Sequence, residues 1–327
     1  MLYHPSSVLF FISLLSSLIL TISANSWFLA WLGLEINLLS LVPLITKKNK
    51  YSTESALKYF LTQAFASIFI IAAASLNSQS KLSLFIICSA LLLKCGAAPS
   101  HQWLPAVVEG VSWSLFALLS TLQKMAPLIL SFFLLKTTMI HTILIFYSST
   151  SALVGAWGGL TQVSLRKILA YSSISHLSWI LASLTCGSWT WLMYFFIYSF
   201  VLISLLVLLT QFQMSTLNHI TTQNKSYFSL VLAASILSLG GLPPFTGFLP
   251  KFMVITQLTL TDQTILLIPL MISTFFSLFF YTRLLVTSLM LSSAKPNSTL
   301  TVPNSSNNLL IINLMVLLLP TFYMLYL

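Results

Sequence analysis

The chain has 327 residues, 57% hydrophobic and only 6% charged, with 14 basic side chains against 4 acidic ones. A soluble fold cannot hide that much apolar surface, and the formal charge of +10 comes without a basic block interleaved with aromatics, which excludes a soluble enzyme and a nucleic-acid binder. Long unbroken apolar runs, rather than period-two alternation, exclude a membrane β-barrel and leave an all-α polytopic membrane protein.

A helix needs about 20 apolar residues to cross the hydrocarbon core. On that measure the sequence predicts about eleven transmembrane helices, at 7–24, 26–46, 54–77, 82–108, 111–136, 139–158, 165–185, 189–212, 228–259, 263–288 and 307–326. Connections are short except at polar residues 213–227 and at 291–308, whose Ser, Asn and Pro content predicts a flexible loop. No soluble domain is expected, and residues 1–6 carry neither the basic stretch of a signal peptide nor an Arg- and Ser-rich transit sequence. With the N-terminus on the inner side, the inner loops carry Lys47, Lys48, Lys50, Arg166, Lys167, Lys225 and Lys295, and the outer loops only Lys81 and Lys136. The excess of basic residues on inner loops favours that orientation, with the C-terminus outside.

The fourth span does not read as a plain helix. Lys94 to Pro105 runs Lys-Cys-Gly-Ala-Ala-Pro-Ser-His-Gln-Trp-Leu-Pro. Proline removes a backbone donor and clashes with the preceding turn, so a break is expected near Pro99, with Pro105 beyond it. Interrupted backbone at membrane depth is tolerated only where protein buries it or it lines a watery cavity. The ninth span repeats the device in Gly-Leu-Pro-Pro-Phe-Thr-Gly-Phe-Leu-Pro-Lys, residues 241–251, with breaks expected at Pro243, Pro244 and Pro250. Laid on the first copy at an offset of 145 residues, Pro244 falls on Pro99, Phe248 on Trp103 and Pro250 on Pro105. Paired Gly/Pro-interrupted segments, one per half, point to the ion path of a transporter built from internal repeats. The expected organisation is one membrane domain, with a first repeat at about 7–136, a second at about 139–288 and an extra C-terminal helix.

Charges inside the spans are functional hypotheses by default. Glu35 sits near the centre of the second span, where a lone carboxylate costs about 2.5 kcal/mol or more. It reads either as half of an ion pair with a lysine of a neighbouring helix or as a hydrogen-bonded helix lock. Lys124 lies mid-span, too central to snorkel to an interface, and Pro127 after it is expected to loosen the turn. Burial disfavours its ammonium and a nearby carboxylate favours it, so a lysine balanced between the two can load and release a proton. Lys94 and Lys251 bracket the two breaks, where unwound carbonyls and water offer each a purely structural role as well. His101 lies inside the first break. His176 lies in the serine-rich seventh span, one turn after Ser172, as part of a hydrated wire or of interhelical hydrogen bonding. Arg283 is expected near an interface, and Glu109 at a vestibule or the surface. Gly155 and Gly159 form a small-xxx-small pair for close helix packing. Cys88, Cys95 and Cys186 show no metal spacing and read as buried small hydrophobes. No Rossmann, Walker or metal motif is present, so neither a nucleotide, an iron–sulfur cluster nor a haem is expected on this chain.

Three stretches carry a family resemblance. Residues 94–105 resemble the Lys-x-Gly-x-Ala-Pro-x-His-x-Trp-Leu-Pro signature of the antiporter-like membrane subunits of respiratory complex I. Leu-Arg-Lys-Ile-Leu-Ala-Tyr-Ser-Ser-Ile-Ser-His-Leu, 165–177, is similar to the family's other signature, and 240–251 to its second broken helix. The length and span count are similar to the shortened animal form, which lacks the first three helices of bacterial members. The resemblance implies two five-helix units of inverted topology and a proton path through a glutamate–lysine pair, a central lysine and a terminal lysine, carried by motif position to Glu35, Lys94, Lys124 and Lys251. His101 and His176 are secondary candidates.

It also implies a mitochondrial inner-membrane subunit with its N-terminus in the matrix and its C-terminus in the intermembrane space. Flavin, iron–sulfur clusters and quinone would sit in partner subunits and no cofactor or metal in this chain. Partners would be other membrane-arm and accessory subunits and phospholipids such as cardiolipin, not nucleic acid. Leu122 departs from the tryptophan that often precedes Gln-Lys, and Ala106 from the acid that often follows Trp-Leu-Pro. The function implied is proton translocation coupled to NADH oxidation and quinone reduction elsewhere. A stand-alone Na⁺/H⁺ antiporter and an inert assembly scaffold are the alternatives.

Overall fold

In the computed structural model the described residues are 5–46, 50–76, 80–135, 137–187, 189–211, 226–243 and 245–290. They form helices and no strand, and the chain divides into two units, Met1–Val154 and Gly155–Leu327. The helices α1 to α8 are Pro5–Ile22, Trp27–Ile45, Lys50–Ser75, Lys81–Cys95, Trp103–Val108, Trp113–Ser120, Leu122–Phe133 and Thr138–Leu160. They are followed by α9 Leu165–Thr185, α10 Thr190–Gln211, α11 Ser226–Gly240, α12 Phe248–Leu260, a 3₁₀ turn Thr264–Leu266 and α13 Leu267–Met290. Eight helical segments among the described residues are long and apolar enough to cross a membrane, with Trp113–Phe133 counted as one. The predicted spans before residue 290 fall on these elements within a few residues. The predicted span 307–326, the loop 291–308, residues 213–225, Pro244, Lys47, Lys48, Lys136, Lys225 and Lys295 lie outside the described residues.

Local chemistry sets the helix starts. Ser26 accepts a hydrogen bond from Leu29 N at 3.3 Å, and Ser80 from Ser83 N at 3.2 Å. Each cap satisfies an otherwise orphaned amide, worth about 1 kcal/mol.

The ends at the two breaks are set by glycine, which corrects the expectation that proline breaks them. In the first break, α4 stops at Cys95. Gly96 takes φ +76°, its N–H bonds Leu93 O at 3.0 Å and Ala97 N–H bonds Leu92 O at 3.0 Å. In the second, α11 stops at Gly240. Gly241 takes φ +74°, with Gly241 N–H to Ser238 O at 3.0 Å and Leu242 N–H to Leu237 O at 3.4 Å. Both are Schellman ends, in which a left-handed residue lets two amides return to the last carbonyls. The 145-residue offset that aligned the prolines also carries Gly96 onto Gly241 and Trp103, where helix resumes, onto Phe248. Pro99, joined to Ala98 by a cis bond, lies inside the first gap, and Pro243 inside the second. Pro105 and Pro250 sit in the first turns of α5 and α12, where a missing N–H breaks no ladder.

A third interruption was not anticipated. The span holding Lys124 is divided at Thr121, whose φ −114° and ψ −84° are not helical, whereas Pro127, expected to loosen it, stays inside α7.

In the first unit α2 packs on α1 and α3, α3 on α4 and α5, and α7 on α4, α1 and α6. In the second, α9 is the buried centre and packs on α10, α12 and α13. The glycine stripe of α8 permits close approach: a Cβ on Gly155 would lie 2.6 Å from Ser175 N of α9, and one on Gly159 2.9 Å from the Phe280 ring of α13.

Candidate functional site

Among the described residues three lysines are buried in apolar helices, Lys94 at 5%, Lys124 at 2% and Lys251 at 8% exposure. Each stands at a helix interruption, which is where a membrane chain can supply polar partners to an ammonium. Lys94 is in the last turn of α4, so the negative end of the helix dipole and the carbonyls there favour its charge. Lys124 is the third residue of α7, in a first turn that the dipole makes unfavourable for a cation. Each end effect is worth about 0.3–1 kcal/mol when exposed and up to about 2 kcal/mol in partly buried geometry. The sequence separates Lys94 and Lys124 by thirty residues, yet α4 and α7 pack together.

Glu35 is half-buried on α2, and its carboxylate acts electrostatically on Lys94. The two form no direct ion pair within 4.0 Å, so the expected contact is an interaction through space. The other acids are exposed. Glu54 is paired with Lys58 of the same helix at 2.6 Å, and Glu109 and Asp262 lie at the surface.

Lys251 starts from a first turn as Lys124 does, but it folds back. Its Nζ donates to Gly240 O, the last carbonyl of α11, at 2.6 Å. Its charge is therefore held at the C-terminal pole of the helix before the break, the same kind of place that Lys94 occupies.

The first break is stapled by side chains. Trp103 Nε1 donates to Leu93 O at 3.0 Å, and Thr150 Oγ1 donates to Ala98 O at 2.8 Å. Leu93 O lies in the last turn of α4 and also accepts from Gly96 N–H, so the indole adds a second donor there, whereas Ala98 O lies in the non-helical gap, where Thr150 supplies a donor. His101 is half-buried and its Nδ1 lies 3.1 Å from Pro99 O.

His176, 7% exposed, hydrogen-bonds through Nδ1 to Tyr194 Oη at 3.0 Å and stacks on Tyr198 at 4.7 Å between ring centres. These residues line a cavity with room for about 10 Å³, together with Ser238, Gly247 and Pro250 of the second break. The serines around His176 are mostly spent locally. Ser172, Ser173, Ser175 and Ser178 each donate to the carbonyl three residues earlier. Arg283 donates from Nη1 to Leu160 O at 3.0 Å and from Nη2 to Gln162 O at 2.6 Å, closing the C-terminal end of α8.

Sequence reasoning passed over the neutral amides. Gln123 Nε2 donates to Asn37 Oδ1 at 2.6 Å, and Tyr59 Oη donates to Gln123 Oε1 at 3.2 Å. Tyr59 in turn packs against Trp103 at 5.8 Å between ring centres. The signal was present in that Asn37 and Gln123 lie inside apolar spans next to singled-out charges, but nothing in sequence says that they meet. Among the described residues no group of three or more His, Cys, Asp or Glu is placed to hold a metal ion.

The family described as NADH:quinone oxidoreductase/Mrp antiporter, transmembrane, matches residues 24–79 and 70–277. The chain is 41% identical to NADH-ubiquinone oxidoreductase chain 2 of Anopheles gambiae, over 94% of this chain and 93% of that one. It is 38% identical to the chain of the same name from Aquarana catesbeiana, over 95% of each. In fold it is similar to a chain of the respiratory complex I structure from Thermus thermophilus, with a TM-score of 0.81 and 22% identity over 97% of this chain and 78% of that one.

Proposed function

The chain belongs to the NADH-ubiquinone oxidoreductase chain 2 family, and from that premise we propose that Glu35, Lys94, Lys124 and Lys251 handle the protons moved by this membrane subunit of respiratory complex I. The observation that carries the assignment is the burial of three lysines, each at an interruption of an apolar helix. A structural lysine can snorkel or be replaced by an apolar residue. One kept in oil beside broken backbone has the surroundings to exist in both protonation states.

The mechanism follows from their placement. Glu35 and the end of α4 favour charge on Lys94, while the start of α7 disfavours it on Lys124. Removing the Glu35 field from Lys94 therefore weakens the hold on that proton. At an effective permittivity of 20, unit charges about 4 Å apart interact by about 4 kcal/mol, falling off as the inverse of distance. Moving one charge through 100 mV costs about 2.3 kcal/mol, so an interaction of this size is adequate for a pumping step. NADH oxidation and quinone reduction take place in other subunits, and their part in this chain is to change the charge presented to Glu35. Lys251, in the second unit, holds its proton against Gly240 O. His101 and His176 are secondary carriers in the same reading. The two Schellman ends at equal offset support two repeats, each with one broken helix. The basic loops support an N-terminus in the matrix of the mitochondrial inner membrane and a C-terminus in the intermembrane space, with membrane-arm subunits and phospholipids such as cardiolipin around the chain.

The deciding experiment is Lys124→Ala in complex I reconstituted into sealed vesicles. Protons translocated per NADH oxidised should fall while NADH-to-ferricyanide activity, which needs no proton movement, is retained. An unchanged proton ratio would take Lys124 out of the path.

A further inference from the structure

The Gln123 amide ties together three helices of the first unit: its own α7, α2 through Asn37 and α3 through Tyr59. Asn37 and Tyr59 are buried, so each bond is formed away from water, where an unmade partner is costly. The tyrosine hydroxyl donates to Oε1 while Nε2 donates to Asn37 Oδ1, so the one amide bonds both neighbours at once.

Gln123 is also the residue immediately before Lys124, two residues past the interruption at Thr121. After that interruption the first turn of α7 is not inherited from α6. Thr121 Oγ1 turns back to Ala117 O at 2.6 Å, and Lys124 N–H reaches Thr121 O at 3.0 Å rather than the carbonyl four residues earlier. A first turn released from the preceding helix needs another anchor, and the Gln123 amide is the anchor seen. The chain of contacts then continues from Tyr59 to Trp103 and, through Trp103 Nε1, to Leu93 O, the carbonyl just before Lys94.

We propose that Gln123 is a positioning residue for proton transfer: held between Asn37 and Tyr59, it fixes the first turn of α7 and thereby the place of the Lys124 ammonium relative to the end of α4. It makes no contact with a proton donor or acceptor of the path in this role; it acts through Lys124. The inference rests on the proton-handling reading of Lys124 given above.

The test uses whole complex I in sealed vesicles, with protons translocated per NADH oxidised as the readout. A purely structural role would change the amount of complex assembled, not this ratio. Gln123→Met keeps the side-chain length and removes both hydrogen bonds. The ratio should fall at least twofold and quinone-coupled turnover roughly tenfold, the loss corresponding to about 1.4 kcal/mol, with NADH-to-ferricyanide activity per complex unchanged. Gln123→Met combined with Asn37→Leu replaces both bonded partners by apolar groups, which relieves the orphaned amide. A ratio that stays low in the double variant supports positioning, and one that recovers overturns it, since satisfying Asn37 would then be the whole role. If Gln123→Met does not assemble, Tyr59→Phe carries the test: a lowered ratio supports the proposal and an unchanged one overturns it. Lys124→Ala in parallel separates the two readings. If that variant loses pumping while Gln123→Met keeps it, only the positioning role fails; if Lys124→Ala pumps normally, the reading beneath it fails.

Discussion

Gly241 and Lys251 claim the same space: a Cβ built on Gly241 would lie 2.8 Å from both Cδ and Nζ of Lys251. The ammonium reaches Gly240 O because the next residue has no side chain, and the same residue needs a left-handed φ of +74° to end α11. One glycine thus serves the backbone and the buried cation together. Gly187 is the natural control, since its φ is +67° but nothing lies within 4 Å of its would-be Cβ. Both Gly187→Ala and Gly241→Ala should lose about 1 kcal/mol to left-handed strain. Only Gly241→Ala should lose a further amount of about 1.5–3 kcal/mol, by displacing the Lys251 ammonium from Gly240 O, and lower the proton yield per NADH. Thermal unfolding of the purified complexes and vesicle pumping check both parts.

Trp103 contributes a ring to Tyr59 and a second N–H donor to Leu93 O, which also accepts from Gly96 N–H. Trp103→Phe retains most of the first and removes the second. The expected loss is about 0.5–1.5 kcal/mol, the net worth of one hydrogen bond, because Leu93 O keeps its bond from Gly96 N–H. Thermal stability of the complex measures it, with Trp103→Leu, which also loses the aromatic contact, falling further.

At Gly155 the obstacle is backbone, Ser175 N at 2.6 Å from an added Cβ, and backbone cannot rotate aside. Gly155→Ala should push α8 off α9 at a cost of about 1–3 kcal/mol. The amount of this subunit retained in assembled complex should fall, although Ala is the better helix former by about 1 kcal/mol. An unchanged amount would mean that the two helices separate at little cost.

His176→Phe removes the partner of the Tyr194 hydroxyl, which is buried. Stability should drop by about 1–3 kcal/mol, and Tyr194→Phe in the same chain should restore most of it. If pumping stays low in the stable double variant, His176 carries protons in addition to its bond. If pumping returns, its role is that bond alone.

The spans and breaks were legible because each is a local property. Apolar runs of about 20 residues have one way to satisfy their backbone in lipid, and Gly-Ala-Ala-Pro or Gly-Leu-Pro-Pro cannot continue a helix. The agent of the break was misread for a physical reason. Proline advertises a missing donor, but the helix ends where a residue can adopt positive φ, and that is Gly96 or Gly241. The interruption at Thr121 left no local mark, since threonine within an apolar run is ordinary and Pro127 beside it drew the suspicion instead.

Residue types by themselves determined that this chain lies in a membrane as helices, that two of those helices are broken, and that Glu35, Lys94, Lys124 and Lys251 are the charges demanding an explanation. Tertiary packing alone decided that Lys251 bends back to Gly240, that Glu35 acts on Lys94 without touching it, and that Gln123 is gripped by Asn37 and Tyr59. Hydropathy and backbone constraints act within a few residues along the chain. A hydrogen bond between Gln123 and Asn37, 86 positions apart, exists only once three helices have settled at one depth and rotation.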